Sequence, residues 1–244
     1  MLKTLEIVPQ EFGGILSVAD GWLPVAQDIL QNGTVYCLKH CFDEQPIDAI
    51  RQAVFTHYAA LPQTHIESWE AGAINYHCIR RGVSQKQKAI HYFHEYAFNN
   101  LENIPGDIRT PLALMFQSLA ALYNDLTSQK ARLNEEEDNC VRLRPAFMHY
   151  FSGGGMFGTH SHHLEPQKIG LILSLSKRGR DYLEGGTGFE APDGSMVDTS
   201  LVHDIGDVLL FRYDLKHWVL PCDVTQPLDE QSIAGRWNAL LPRY

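Results

Sequence analysis

No stretch of this sequence is apolar for long enough to span a bilayer, and no basic excess is present. The 20 lysines and arginines are outnumbered by 29 acidic residues, for a formal charge of −9. That balance excludes the broad cationic face needed to wrap a phosphate backbone or bind an anionic membrane, so neither nucleic acid nor membrane is expected as a partner. A small-molecule substrate is expected instead, with a homodimer left open. The opening segment, MLKTLEIVPQEFGG, lacks the apolar core of a secretory signal, and a cytoplasmic location is the corresponding expectation. Cysteine is sparse and unpaired: five residues (Cys37, Cys41, Cys78, Cys140 and Cys222) are scattered and odd in number, which reads as reduced, buried thiols rather than a disulfide framework. Repeats and low-complexity tracts are also missing.

What is present divides into two grammars. With 44% hydrophobic residues in 244, the chain is long enough to bury a real core. Its first 140 residues read as mainly helical. In DEQPIDAIRQAVFTHYAAL, Pro46 sits early, where its missing N–H costs little, and Ile47, Ile50, Val54 and Tyr58 recur at helical spacing. A second helix is predicted after Ser84, with Ala89, Phe93, Tyr96 or Ala97, and Leu101 along one side. A third is predicted to start at Thr110-Pro111 and to carry Leu112, Met115, Phe116, Leu119, Leu122 and Tyr123. The acidic run NEEEDN, residues 134–139, reads as a solvated break. Beyond it, short apolar runs alternate with glycine-bearing turns: VRLRPAFMHYF, KIGLILSLS, APDGS, GDVLLFRYD, HWVLP and RWNALLP. Six or more short strands in about 100 residues predict a small barrel or jelly roll. The expected division is a helical cap portion, 1–140, integrated with a barrel core, 141–244.

The chemistry concentrates in GGGMFGTHSHHLEPQ, residues 153–167. A strand projects alternate side chains to one face, so His160 and His162 point the same way and His163 turns from them. Two imidazoles on one wall are half a metal site. The glycines support a bend that brings the strand end close to another backbone. Another histidine, His217 in DLKHWVLP, opens a later predicted strand that a barrel can bring opposite the pair.

The order Tyr150, glycine turn, His160-x-His162, IGLILSLS, GGTGFE, the PDG turn, GDVLLF, His217 with VLP after it, then GRWNALLP resembles the iron(II)- and 2-oxoglutarate-dependent oxygenases, notably the prolyl-hydroxylase-like branch. The match covers roughly residues 141–243. It implies an α+β fold with a mainly β core, a double-stranded β-helix (jelly-roll) barrel with N-terminal helices packed on it, and it implies Fe(II), 2-oxoglutarate and dioxygen as cofactors and co-substrate. In that family the ligands are His-x-Asp or His-x-Glu and a distal His, with a late-strand cation for the far carboxylate of 2-oxoglutarate. Carried over, His160 and His217 are ligands and Arg236 is the anchor, a role suited to a guanidinium because it grips a carboxylate with two parallel hydrogen bonds.

Two departures stand out. His162 occupies the place of the family's acid, and VTQPLDEQSIA reads as an inserted loop between His217 and Arg236. Three ligand sets follow: His160, His162 and His217; a shifted set of His163, Glu165 and His217; or His160, Glu165 and His217. Using four side chains would leave too few positions on an iron with about six, so three is the limit, and the all-histidine set keeps the family's spacing from the glycine turn. It also raises the site's net charge by one, which strengthens its hold on an anion. Radical halogenases of this superfamily carry a small residue at the acid position, so halogenation requires His162 to turn away, and hydroxylation of an unactivated C–H bond is the default.

Further expectations concern the cavity. Either Tyr150 or His149 faces it, with Tyr150 assigned to the co-substrate. Arg142 and Arg144 share a face. Asn75, His77, Arg80 and Arg81, in INYHCIRRG, are candidates to hold an acidic or amino-acid substrate over the iron. Asp207 reads as a turn residue and Trp218 as packing at the barrel end. Two other readings compete: a cupin-type metal-dependent dioxygenase that does not use 2-oxoglutarate, suggested by the glycine spacing before His-x-His, and a non-catalytic ligand-binding barrel.

Overall fold

The structure is a computed structural model and describes residues 1–64, 74–84, 87–133 and 140–242. In chain order its elements are β1 (Leu2–Glu6), α1 (Leu23–Asn32), β2 (Val35–Lys39), α2 (Glu44–Ala59), β3 (Tyr76–Val83), β4 (Ile90–Ala97), α3 (Gly106–Thr127), β5 (Ala131–Leu133), β6 (Val141–Leu143) and β7 (Ala146–Phe151). They continue with β8 (Met156–His160), β9 (Ile169–Ser174), β10 (Thr187–Glu190), β11 (Met196–Asp198), β12 (Val208–Arg212), β13 (His217–Val219) and β14 (Gly235–Leu240).

One sheet runs β1-β2-β12-β9-β14-β7-β4-β8-β13-β10-β11, with β3 paired to β4. Its two ends curl to face each other: Phe211 of β12 meets Phe189 of β10 at 4.9 Å between ring centroids, and Arg236 of β14 reaches Thr187 of β10. This is the double-stranded β-helix barrel expected from the sequence. The acidic run 134–139 lies outside the described residues.

Strand alternation gives the sheet two different faces. Outward, Leu38, Tyr96, Phe147, Leu171, Leu173, Leu210 and Trp237 form one core with α1, α2 and α3. The stripe Ile47, Ile50, Val54 and Tyr58 of α2 is buried there as predicted, as is that of α3. The start of α3 differs: it begins at Gly106, placing Pro111 inside the helix. Proline's fixed φ is helical, and so near the N-terminus only the Asp107 carbonyl loses its i+4 donor.

The helix predicted after Ser84 is instead strand β4, and INYHCIRRG supplies β3, so the N-terminal portion is less helical than its periodicity suggested. The reason is burial on both faces. Phe93, His94, Glu95, Tyr96 and Ala97 are all buried, because one face of β4 packs into the helix-covered core through Tyr96 and the other into the barrel interior, where Phe93 meets Tyr150 and Phe157. A strand covered on both faces shows no clean period of two, and the aromatic content that favours strands was the better signal.

The outer face also buries a row of stacked rings, His77, His94, Tyr96, Trp237 and His149, with successive centroids 5.1, 4.2, 5.3 and 4.1 Å apart. Its protons are ordered. His77 Nε2 donates to the Leu61 carbonyl, so its Nδ1 accepts from His94 Nε2 at 2.9 Å, and His94 Nδ1 accepts from the Tyr96 hydroxyl. Burial lowers both His94 and His149 to about 3, against 6.5 for an ordinary imidazole. A folded-state value below the unfolded one means that the unfolded chain binds the extra proton. The contribution is therefore intact above pH 6.5 and is lost as pH falls toward 3. Urea unfolding at pH 5 is expected to show a loss of about 2 kcal/mol per histidine relative to pH 7. The slope should flatten in His149→Gln, which keeps the donor to the Ala234 carbonyl.

Candidate metal centre and anion pocket

The inner face of the barrel carries the histidines. Strands β8 and β13 are antiparallel neighbours, and their register sets His217 directly opposite His160. His162 lies just past the end of β8, with its ring stacked on Tyr213 at 4.4 Å. One nitrogen from each of the three rings falls within 4.8 Å of the other two, spacing suited to a single ion. The preceding turn depends on glycine: Gly153 and Gly154 take φ of +91° and +121°, and their N–H groups donate to the Asp223 and Cys222 carbonyls. A Cβ on Gly153 would lie 2.7 Å from the Leu228 backbone. The expected close approach of backbones is thus real, and its partner is the inserted loop.

Hydrogen bonding decides which nitrogens point inward. His160 Nδ1 lies 2.9 Å from the Gly158 carbonyl, and His217 Nδ1 lies 2.9 Å from the Leu215 carbonyl. A carbonyl only accepts, so each Nδ1 carries the proton and each Nε2 keeps its lone pair for a metal. Burial pushes the pKa of His160 down, and burial together with the neighbouring imidazoles pushes that of His217 well down, so both rings are neutral as ligation requires. Phe157 stacks on His160 at 3.9 Å and Phe211 stands 5.0 Å from His217, which walls the centre in apolar surface.

Along β10 the character changes from metal-binding to anion-binding. Phe189 pairs with His217, while Thr187, two residues away on the same face and so about 7 Å along the strand, receives a hydrogen bond from Arg236 Nη2 at 2.8 Å. Arg236 is 1% exposed. Its Nη2 also reaches His203 Nδ1 at 3.3 Å, and its Nε and Nη1 have no partner. A buried guanidinium with unspent donors is a receptor for an anion. Tyr150 stands opposite Arg236 in the β7–β14 register and shares its inner face, whereas His149 faces outward onto Trp237. The buried hydroxyl of Tyr182 stands beside the Arg236 guanidinium, which favours its ionised form against the effect of burial.

The remaining candidates are dispersed. Glu165 is exposed, 3.9 Å from Lys168, and His163 is exposed too, so neither joins the three-ring group. Arg80 shares the inner face with Phe93, and its Nε donates to Glu95, which also accepts from Arg144. Arg142 is buried. Arg81 lies on the outer face and pairs with Glu230 of the inserted loop, Asn75 exchanges hydrogen bonds with the Asn100 backbone, and His77 belongs to the outer stack. These three are not brought to the cavity. Asp207 does form the expected turn, accepting from Asp204 N–H, and is also ion-paired with Lys39. The ring of Trp218 packs over Gly188. None of the five cysteines is in a disulfide, and four of them are buried. His203 and Tyr182, prominent here, lie in loops that no quoted motif covers, while Thr187 in GGTGFE and Tyr213 in GDVLLFRYD fall within quoted runs whose spacing does not single them out.

Three convergent imidazoles, with His160 and His217 held neutral, suit a divalent transition metal, and the unpartnered donors of Arg236 suit a carboxylate at the far end of the same cavity. No protein-family model matches the sequence, and no curated protein is similar to it. Solved structures are. A prolyl-4-hydroxylase from Pseudomonas putida superposes with a TM-score of 0.53 at 15% identity, covering 91% of this chain and 98% of that one. An oxidoreductase of the 2OG-Fe(II) oxygenase family from Burkholderia pseudomallei gives 0.53 at 12% identity, over 92% and 91%. EctD from S. alaskensis with bound Fe gives 0.53 at 13% identity, over 96% and 82%. In architecture, then, this chain has the fold of the 2OG-Fe(II) oxygenase structures.

Proposed function

We propose that the protein is an iron(II)- and 2-oxoglutarate-dependent oxygenase that hydroxylates an unactivated C–H bond of a small polar metabolite or amino acid. The observation that carries this reading is the pairing, in one cavity, of three convergent imidazoles with a buried guanidinium that has donors to spare. In this reading His160, His162 and His217 hold the metal, Arg236 takes the far carboxylate of 2-oxoglutarate, and Tyr150 lines its site. Iron(II) supplies the redox chemistry once bound: one oxygen atom of dioxygen goes into the substrate C–H bond and the other into succinate, with carbon dioxide released.

The protein's own contribution is placement. Three ligands leave about three positions of an octahedral ion for small molecules. Phe157, Phe211 and Tyr213 keep bulk water from the centre. Arg80, on the inner face, remains the candidate of its group for contact with a polar substrate. His162 turns toward its partners, 5.1 Å from His160 and 5.2 Å from His217 between centroids, which favours hydroxylation over halogenation. The cupin-type reading gives Arg236 no task. The resemblance in sequence order and the shared fold support the oxygenase reading. Its test is anaerobic loading with iron(II), then addition of air, 2-oxoglutarate and ascorbate, the reductant for turnover uncoupled from substrate, with and without a panel of amino acids: succinate is expected only when iron, dioxygen and 2-oxoglutarate are all present, and its absence under every condition would overturn the proposal.

A further inference from the structure

The way Arg236 is held departs from the usual solution for a buried cation. Among the described residues no carboxylate lies within ion-pair distance of it, and the two groups that accept from its Nη2, Thr187 Oγ1 and His203 Nδ1, are both neutral. The protonation of His203 is fixed from its other side. Its Nε2 lies 3.1 Å from the Asp207 carbonyl, which only accepts, so Nε2 bears the proton and Nδ1 offers its lone pair to the guanidinium. Burial and the adjacent Arg236 both oppose a charge on this ring. His203 is itself well anchored. Its backbone N–H and that of Val202 donate to the Thr199 carbonyl, while Thr199 Oγ1 donates to the carbonyl of Thr187, the residue that also contacts Arg236. Asp207 is pinned by Lys39 and by the N–H groups of His40 and Asp204.

We propose that His203 is a positioning residue that aims Arg236 into the cavity without neutralising it, and so sets a preference for a co-substrate with a distal carboxylate. The inference rests on the oxygenase reading and deepens it. A carboxylate at position 203 would hold the guanidinium more tightly, but it would also cancel the charge meant for the ligand. A neutral imidazole with a fixed tautomer supplies direction alone. The full positive charge is left to Nε and Nη1, the two atoms that have no protein partner.

The test is calorimetric titration of 2-oxoglutarate, and of pyruvate as the analogue lacking the distal carboxylate, into iron(II)-loaded, oxygen-free protein. Wild type is compared with His203→Ala, His203→Gln and His203→Asp, with thermal unfolding and iron affinity measured alongside. His203→Ala is expected to weaken 2-oxoglutarate binding about tenfold, the loss of one hydrogen bond to a charged group. His203→Gln, a neutral acceptor, should stay within about threefold of wild type. His203→Asp should lose on the order of a hundredfold while melting no lower than the alanine variant. Iron affinity and the weak binding of pyruvate should not move in any of the three. Equal affinity in the Asp and Gln variants, or parallel losses for pyruvate and 2-oxoglutarate, would overturn the positioning role and leave the oxygenase reading standing. Failure of wild type to bind 2-oxoglutarate would overturn both. Should the Asp variant not fold, the Ala and Gln pair decides: Gln no better than Ala refutes the proposal.

Discussion

Replacing His217 with alanine is expected to abolish iron(II) binding and succinate formation together. The ring is buried, its Nδ1 is spent on the Leu215 carbonyl, and it forms one corner of a triangle with His160 and His162, their centroids 4.2 and 5.2 Å away. The other two candidates from the same sequence run, Glu165 and His163, are turned to solvent. Two imidazoles alone make a weak site, and disturbing even the partners of metal ligands costs about 10- to 100-fold in affinity, so removal of a ligand should exceed that range. Metal content after dialysis and calorimetric titration with iron(II) measure the effect. His163→Ala and Glu165→Gln serve as controls and should load normally. Wild-type iron occupancy in His217→Ala would refute the assignment of His217.

Arg236→Ala is expected to separate the two cofactors. Metal binding should persist, because Arg236 contacts Thr187, two residues along β10 from the Phe189 that pairs with His217, while the KM for 2-oxoglutarate should rise on the order of a hundredfold or more. Arg236→Lys should recover only part of that loss, since an ammonium cannot reproduce the two parallel hydrogen bonds of a guanidinium. Steady-state succinate assays across 2-oxoglutarate concentration, with iron saturating, give the comparison. An unchanged KM in Arg236→Ala would show that the co-substrate is anchored elsewhere.

Much of this was legible in the sequence, and the physical reasons differ from part to part. The strands of the C-terminal half were visible because glycine turns punctuate short apolar runs, and His160 and His162 were visible because alternation is built into a strand. Strand β4 was misread because both its faces are buried, which erases the period of two and leaves a pattern that also fits a helix. The choice of His162 over Glu165 needed coordinates, since the chain leaves the strand at His160 and only then decides which side chain turns back. Nor could any spacing rule find His203: it reaches Arg236 from a loop between β11 and β12, across 33 residues of sequence. Asn75, His77 and Arg81 looked alike as polar groups near one another, yet a strand sends neighbours to opposite sides, and Arg80 alone of its pair faces inward.

The junction of β8 with β13 has one more implication. Strand β13 is only three residues long, and its pairing is irregular between His217 and Val219, so few backbone hydrogen bonds dictate how the two segments align. Sliding either segment by a single residue would rotate its imidazole from the interior to the exterior. An ion gripped by rings on both would penalise every such misalignment, because it can be captured only when the two segments meet in one way. Cation capture would then act as a proofreader of strand registration, and assembly of the barrel and acquisition of its metal become a single event.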